Sequence, residues 1–104
     1  MPIMEISVVP LGSETLSLSE YVADSIKVLK QNKSVTYQLT SMGTIVEADT
    51  VEELFDAASA MHNAVFSDKI QRVVTTIKID DRRDKRLSMD GKVKSVNQKL
   101  SDLK

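Results

Sequence analysis

Side chains able to do chemistry are sparse in this chain of 104 residues. His62 is the only histidine and no cysteine is present, so neither a nucleophilic triad nor a zinc site can be built around it. It falls in a helical pattern near Met61 and Val65, where a flanking histidine is normally solvated or hydrogen-bonded rather than catalytic. Carboxylates cluster at Glu52-Glu53 and Asp80-Asp81. The first pair sits in the opening turn of a helix, where negative charge favours the macrodipole, and that structural reason suffices. The three glycines, Gly12, Gly43 and Gly91, are isolated, so no phosphate loop or dinucleotide fingerprint exists and no cofactor is expected. Glu47, between Val46 and Ala48, is the most distinctive polar residue. It has two readings: a cross-strand partner for Lys78 or another strand neighbour, or an acceptor for a cationic or amidine-like ligand group.

The elements that would position these residues follow from the period of the apolar side chains. Residues 3 to 9 read as a strand, ended by Pro10 and Gly12. Leu18, Val22, Ile26 and Leu29 stack on one helical stripe between Ser17 and Gln31, with Ser17 or Ser19 as cap. Val35, Tyr37 and Leu39 alternate with Thr36, Gln38 and Thr40, and after a turn centred on Gly43 comes a second strand, Thr44 to Ala48. Asp49 or Thr50 can cap a helix carrying Val51, Leu54, Phe55, Ala58, Met61 and Val65. A last strand runs from Ile70 to Ile79, with Val73, Thr75, Ile77 and Ile79 on one face. A terminal helix from Ser88 to Leu103 carries a narrow stripe of Val93, Val96, Leu100 and Leu103 that must pack on something.

This order, β-α-β-β-α-β plus a helix, predicts an α+β, ferredoxin-like single domain over residues 1–104, with two helices on one face of a four-stranded antiparallel sheet. The other face is left bare. Its candidates Glu5, Ser7, Thr36, Gln38, Thr40, Thr76 and Lys78 are small and polar rather than strongly charged, which suits packing between subunits, a polar binding surface, or a Thr-rich solvent face.

Composition limits the function classes. Fourteen Lys and Arg against 15 Asp and Glu give a net charge of -1, which removes the cationic field of a general nucleic-acid or membrane-surface binder. Residues 78 to 104 do hold nine basic against five acidic residues. Yet only Tyr37 would lie on a strand to stack a base, so no nucleic-acid partner is expected. No apolar run reaches the ~20 residues of a membrane helix, and the start lacks a signal-peptide pattern, so the expected location is cytoplasmic, without a membrane partner.

Three segments together, ISVVPLG at residues 6–12, SMGTIVEAD at 41–49 and IKIDDRRDKR at 77–86, resemble the YkoF-like thiamine-binding protein family, and the likeness covers nearly the whole chain. The resemblance implies a non-enzymatic protein that pairs into dimers or tetramers through its sheets and terminal elements. It would bind thiamine or its hydroxymethylpyrimidine part unchanged. By the same resemblance Ser7, Pro10, Thr40, Met42, Gly43, Thr44 and Glu47 lie nearest the pocket. Thr40 and Thr44 would donate to a pyrimidine nitrogen, Met42 would pack on the ring, and Glu47 would accept from the exocyclic amine, while Gly43 would serve the turn through a positive φ. Asp80, Asp81, Arg82 and Arg83 would form a structural or intersubunit ion network. The alternative function is a self-assembling or regulatory interaction module without a small-molecule ligand.

Overall fold

The computed structural model describes residues 1–12, 18–84 and 89–102. In chain order the elements are β1 (Ile3–Pro10), α1 (Leu18–Gln31), β2 (Val35–Leu39), β3 (Thr44–Ala48), α2 (Val51–Val65), β4 (Val73–Asp80) and α3 (Met89–Ser101). The strands form one antiparallel sheet in the order β2-β3-β1-β4, the ferredoxin-like α+β arrangement that the sequence pattern predicts. No helix among the described residues is long and apolar enough to cross a membrane.

The pairing of β1 on both sides sets the sheet. Met4 lies between Val46 of β3 and Ile79 of β4, and Ile6 between Thr44 and Ile77. Because side chains alternate along a strand, these rows share one face, and it is the face that the helices cover. Met4, Ile6 and Val46 are buried there against Leu29 of α1 and Leu54, Ala57, Ala58 and Met61 of α2. Pro10 is tolerated in a strand paired on both sides because β3 reaches only as far as Ile6, so the missing N–H of Pro10 costs no ladder bond. One step on, the Leu11 N–H donates to the Arg72 carbonyl at 2.8 Å.

Thr50, rather than Asp49, caps α2. Its hydroxyl oxygen accepts from the Glu53 N–H at 3.2 Å and its O–H donates to Glu53 Oε1 at 3.0 Å, one local pair of bonds that satisfies an orphan donor of the first turn. The candidate cap Ser17 lies outside the described residues, and so does Leu103. Within α1 the buried stripe includes Ser25, which the apolar pattern omits. Its hydroxyl donates to the Met61 carbonyl at 3.4 Å, so a small polar residue lets α1 and α2 approach without an unmet polar group.

Three expectations need correction. Phe55 is 54% exposed rather than part of the buried stripe, because one residue's rotation from Leu54 turns it to the outside while Ala57 takes the inward place. The last strand begins at Val73, not Ile70. Ile70 is instead buried with Val65 under a tight turn, where Ser67 and Ile70 exchange two backbone hydrogen bonds of 3.1 Å. Finally, the apolar stripe of α3 joins no core among the described residues: Val93, Val96 and Leu100 are 55%, 57% and 60% exposed. An ion pair between Lys92 and Asp80 ties the start of α3 to the end of β4.

Burial and exposure at adjacent positions of α2 can be told apart by stability. Leu54→Ala is expected to lower the unfolding free energy by about 2–5 kcal/mol, through lost transfer energy and a cavity, and Phe55→Ala by less than about 1 kcal/mol. Urea denaturation of the two variants reads the difference.

Candidate functional site

The face opposite the helices is read directly from the strand registers. Its first row is Thr36, Glu47, Ile3 and Asp80, and its second is Gln38, Ile45, Glu5 and Lys78. On β1 and β4 it continues with Ser7 opposite Thr76 and Val9 opposite Val74. The central strands β3 and β1 therefore present two carboxylates, Glu47 and Glu5, around an apolar floor of Ile45 and Ile3. Glu47 and Ile45 are half-buried, because β2 and β1 flank them. Across the strands Glu47 stands opposite Thr36 and Ile3, while Lys78 stands opposite Glu5, so the register gives Lys78 to a different carboxylate from the one expected.

The expected site residues divide between the two faces and the turn. Ser7 and Glu47 point to the open face. Pro10 and Thr44 belong to the rows that face the helices, and Thr44 is buried beside Ile6, so its hydroxyl cannot reach a ligand on the open side. Thr40, Met42 and Gly43 form the connection from β2 to β3. Here the Thr40 hydroxyl is already engaged: it donates to the Gly43 carbonyl at 2.8 Å and accepts from the Met42 N–H at 3.3 Å. The Thr40 N–H donates to the same carbonyl at 2.8 Å, which closes the turn. Met42 projects from the tip, 83% exposed.

Gly43 does not have the positive φ expected of it; among the glycines only Gly12 does, at +79°. Close approach is the reason for glycine at 43. An added β-carbon would stand 3.1 Å from the Ile6 carbonyl oxygen and 3.7 Å from Glu5 Cγ, so the turn lies directly on β1 at the edge of the open face. Glu5, Gln38, Ile45 and Ile3 are the neighbours of Glu47 that the sequence motifs did not single out. Only the registers bring them to it.

His62 lies away from this face. Its Nδ1 shares a hydrogen bond of 2.6 Å with Thr75 Oγ1, on the helix side of β4, and its ring meets Phe66 edge-on at 5.2 Å. It fastens α2 to the edge strand, which is the structural role a lone histidine suggests. In the charged segment after β4, Arg82 makes a two-pronged contact to Asp84 at 2.5 and 3.0 Å, and Arg83 contacts Asp81 at 3.1 Å. The hydrogen bonds that Arg82 donates to Asp84 raise the Arg82 pKa above its ordinary value, with desolvation opposing and Asp80 adding to the effect. Among the described residues no group of carboxylates and histidine is arranged to hold a metal ion.

The chain is similar to known proteins over nearly its whole length. A family model described as "Thiamine-binding protein" matches residues 4–97. The UPF0045 protein YqgV of Bacillus subtilis is 42% identical over 103 residues, covering 96% of this chain and 98% of the relative. A UPF0045 protein of Methanothermobacter thermautotrophicus is 45% identical over 96 residues, covering 92% and 96%. The crystal structure of a hypothetical protein from Methanocaldococcus jannaschii superposes with a TM-score of 0.82 at 34% identity, covering 93% of this chain and 96% of that one.

Two substitutions test how the turn is held on β1. Gly43→Ala is expected to cost about 1 kcal/mol through its contact with the Ile6 carbonyl, and Thr40→Val about 1 kcal/mol or more by removing two hydrogen bonds. Both are measured as shifts in the urea midpoint.

Proposed function

Because the chain belongs to the thiamine-binding protein family, we propose that it captures thiamine or its hydroxymethylpyrimidine part reversibly, as a cytoplasmic homo-oligomer and without transforming it. The observation that carries this reading is the half-buried carboxylate of Glu47 on a central strand, with Glu5 beside an apolar floor. An aminopyrimidine offers an exocyclic amine to such a carboxylate, and a thiazolium offers a positive charge. A charged acceptor makes a stronger hydrogen bond than a neutral one, and its advantage grows as water is excluded.

Glu47, Glu5, Ser7 and Gln38 are the residues we assign to the ligand, with Ile45 and Ile3 beneath the ring and Met42 and Gly43 at the rim. Thr40 acts through the turn it closes. Thr44 and Pro10 support the sheet from its other side. A sheet face is shallow, so a second copy laid against it would supply the wall that excludes water. The uncovered stripe of α3, Val93, Val96 and Leu100, favours such pairing independently. The same stripe is what favours the second reading, a self-assembling module without a ligand.

Isothermal titration with thiamine and with hydroxymethylpyrimidine, run beside light scattering, separates the two. Saturation by a multimeric species supports capture, and Glu47→Gln is then expected to weaken binding by about 1.5–3 kcal/mol, roughly 10- to 150-fold. No heat with either compound from a folded multimer means that the chain assembles without this ligand. For the pairing itself, Leu100→Lys is expected to reduce the mass seen by light scattering without loss of helical signal, because Leu100 is exposed and lies outside the core of the described residues.

A further inference from the structure

The side of α2 that the core leaves free carries a second stripe. Phe55, Ser59, His62 and Phe66 follow one another at spacings of four, three and four, which lines them up roughly 100° around the helix from the buried residues. Phe55 is 54% and Phe66 41% exposed. Facing them is the edge strand β4. Its Ile77 shares a row with the buried Ile6 yet is itself 40% exposed, because the two helices stop short of the edge of the sheet. Val65 packs beside Val73, and His62 Nδ1 meets Thr75 Oγ1 at 2.6 Å, so α2 runs antiparallel to β4 and Phe55 lies toward Ile77. The two elements therefore bound an apolar cleft, with the His62–Thr75 hydrogen bond across its floor and the His62 and Phe66 rings in edge contact at one end.

The same chain carries a helix that matches this cleft. Val93, Val96 and Leu100 form an exposed stripe on α3, roughly 10 Å long, which fits within the roughly 16 Å of helix between Phe55 and Phe66. The Cα radius of gyration is 15.6 Å, against about 13 Å for a compact chain of this length, so α3 projects from the body instead of filling the cleft beside it. Charge is complementary as well. Within α2 are Glu52, Glu53 and Asp56 and neither Lys nor Arg, whereas α3 has Lys92, Lys94 and Lys99 against one aspartate. Helical spacing sets Glu52 and Asp56 on the solvent side of the Phe55 stripe, and Lys92 and Lys99 along one side of the α3 stripe. Among the described residues Glu52, Asp56 and Lys99 have no ion-pair partner.

We propose that the cleft between α2 and β4 receives α3 of a second copy of this chain, in a reciprocal exchange that packs Val93, Val96 and Leu100 against Phe55, Phe66 and Ile77. About a two-fold axis each copy gives one helix and takes one, so the contact is made twice and the assembly closes. Lys99 then meets the acidic flank of Glu52 and Asp56, a pairing that sets the orientation of the helix more than its affinity. The inference rests on the homo-oligomeric part of the proposed function and not on its ligand. It puts this contact on the helix layer and leaves the open face of the sheet free.

The chain has no cysteine, so introduced cysteines report the contact directly. Phe55→Cys and Val96→Cys chains, mixed in urea, refolded together and verified by circular dichroism, are expected to form a disulfide-linked dimer at least about tenfold faster than either variant alone. By light scattering Phe55→Lys is expected to raise the dimer dissociation constant roughly 100-fold, about tenfold for each of the two contacts. A multimer whose mass Phe55→Lys leaves unchanged overturns the exchange while homo-oligomerisation stands. Val96→Cys chains that cross-link among themselves as fast as in the mixture also overturn it, because α3 then pairs with α3. In the double variant Phe55→Cys/Val96→Cys, a disulfide closed within one chain overturns it in favour of a helix folded onto its own cleft. A wild-type chain that stays monomeric overturns the exchange and homo-oligomerisation together.

Discussion

The double pairing of β1 is the constraint on which the rest of the structure depends. Met4 lies in register with both Val46 and Ile79, so one face of three strands is committed to the helices at a single position. A slip of one residue would turn Glu5 inward and Met4 and Ile6 outward, losing about 1.5–3 kcal/mol for each large apolar side chain exposed and burying a charge as well. The residues of the open face therefore gather there because their neighbours in sequence are required inside. Glu47 faces outward because Val46 and Ala48 face α2.

Two surfaces remain unmatched by this solution. One is the open face, where four strands present apolar, polar and charged side chains side by side. The other is the stripe of α3, a helix joined to the body by the Lys92–Asp80 ion pair but outside the hydrophobic core of the described residues. A small domain gains little margin from its own core, so covering either surface with a second copy would add stability as well as shape. Under the proposed reading, ligand capture and assembly would be linked, because a subunit covering the sheet would also keep water from the carboxylates.

Local patterns made the elements legible. Alternation in β1 and β4, the helical stripe through Leu54, Ala58 and Met61, and the Thr50 cap are properties of neighbouring residues, and the structure keeps them within a few positions. The differences have local causes too. Phe55 departs from the stripe by rotation around the helix, and Ile70 belongs to a turn instead of a strand because the core captures its side chain. The fold class followed from element order alone.

The candidate site was legible only in part. Sequence alone identified Glu47 as a strand carboxylate and the turn at Gly43, because each depends on residue type and immediate neighbours. Which residues share a face with Glu47 was decided by the tertiary structure. Strand register sets Lys78 opposite Glu5, turns Thr44 into the core and leaves Ser7 on the open side, and register depends on contacts between segments some 40 to 75 residues apart. The close approach that requires glycine at 43 likewise exists only after the chain has folded, since no local pattern encodes the distance between two strands.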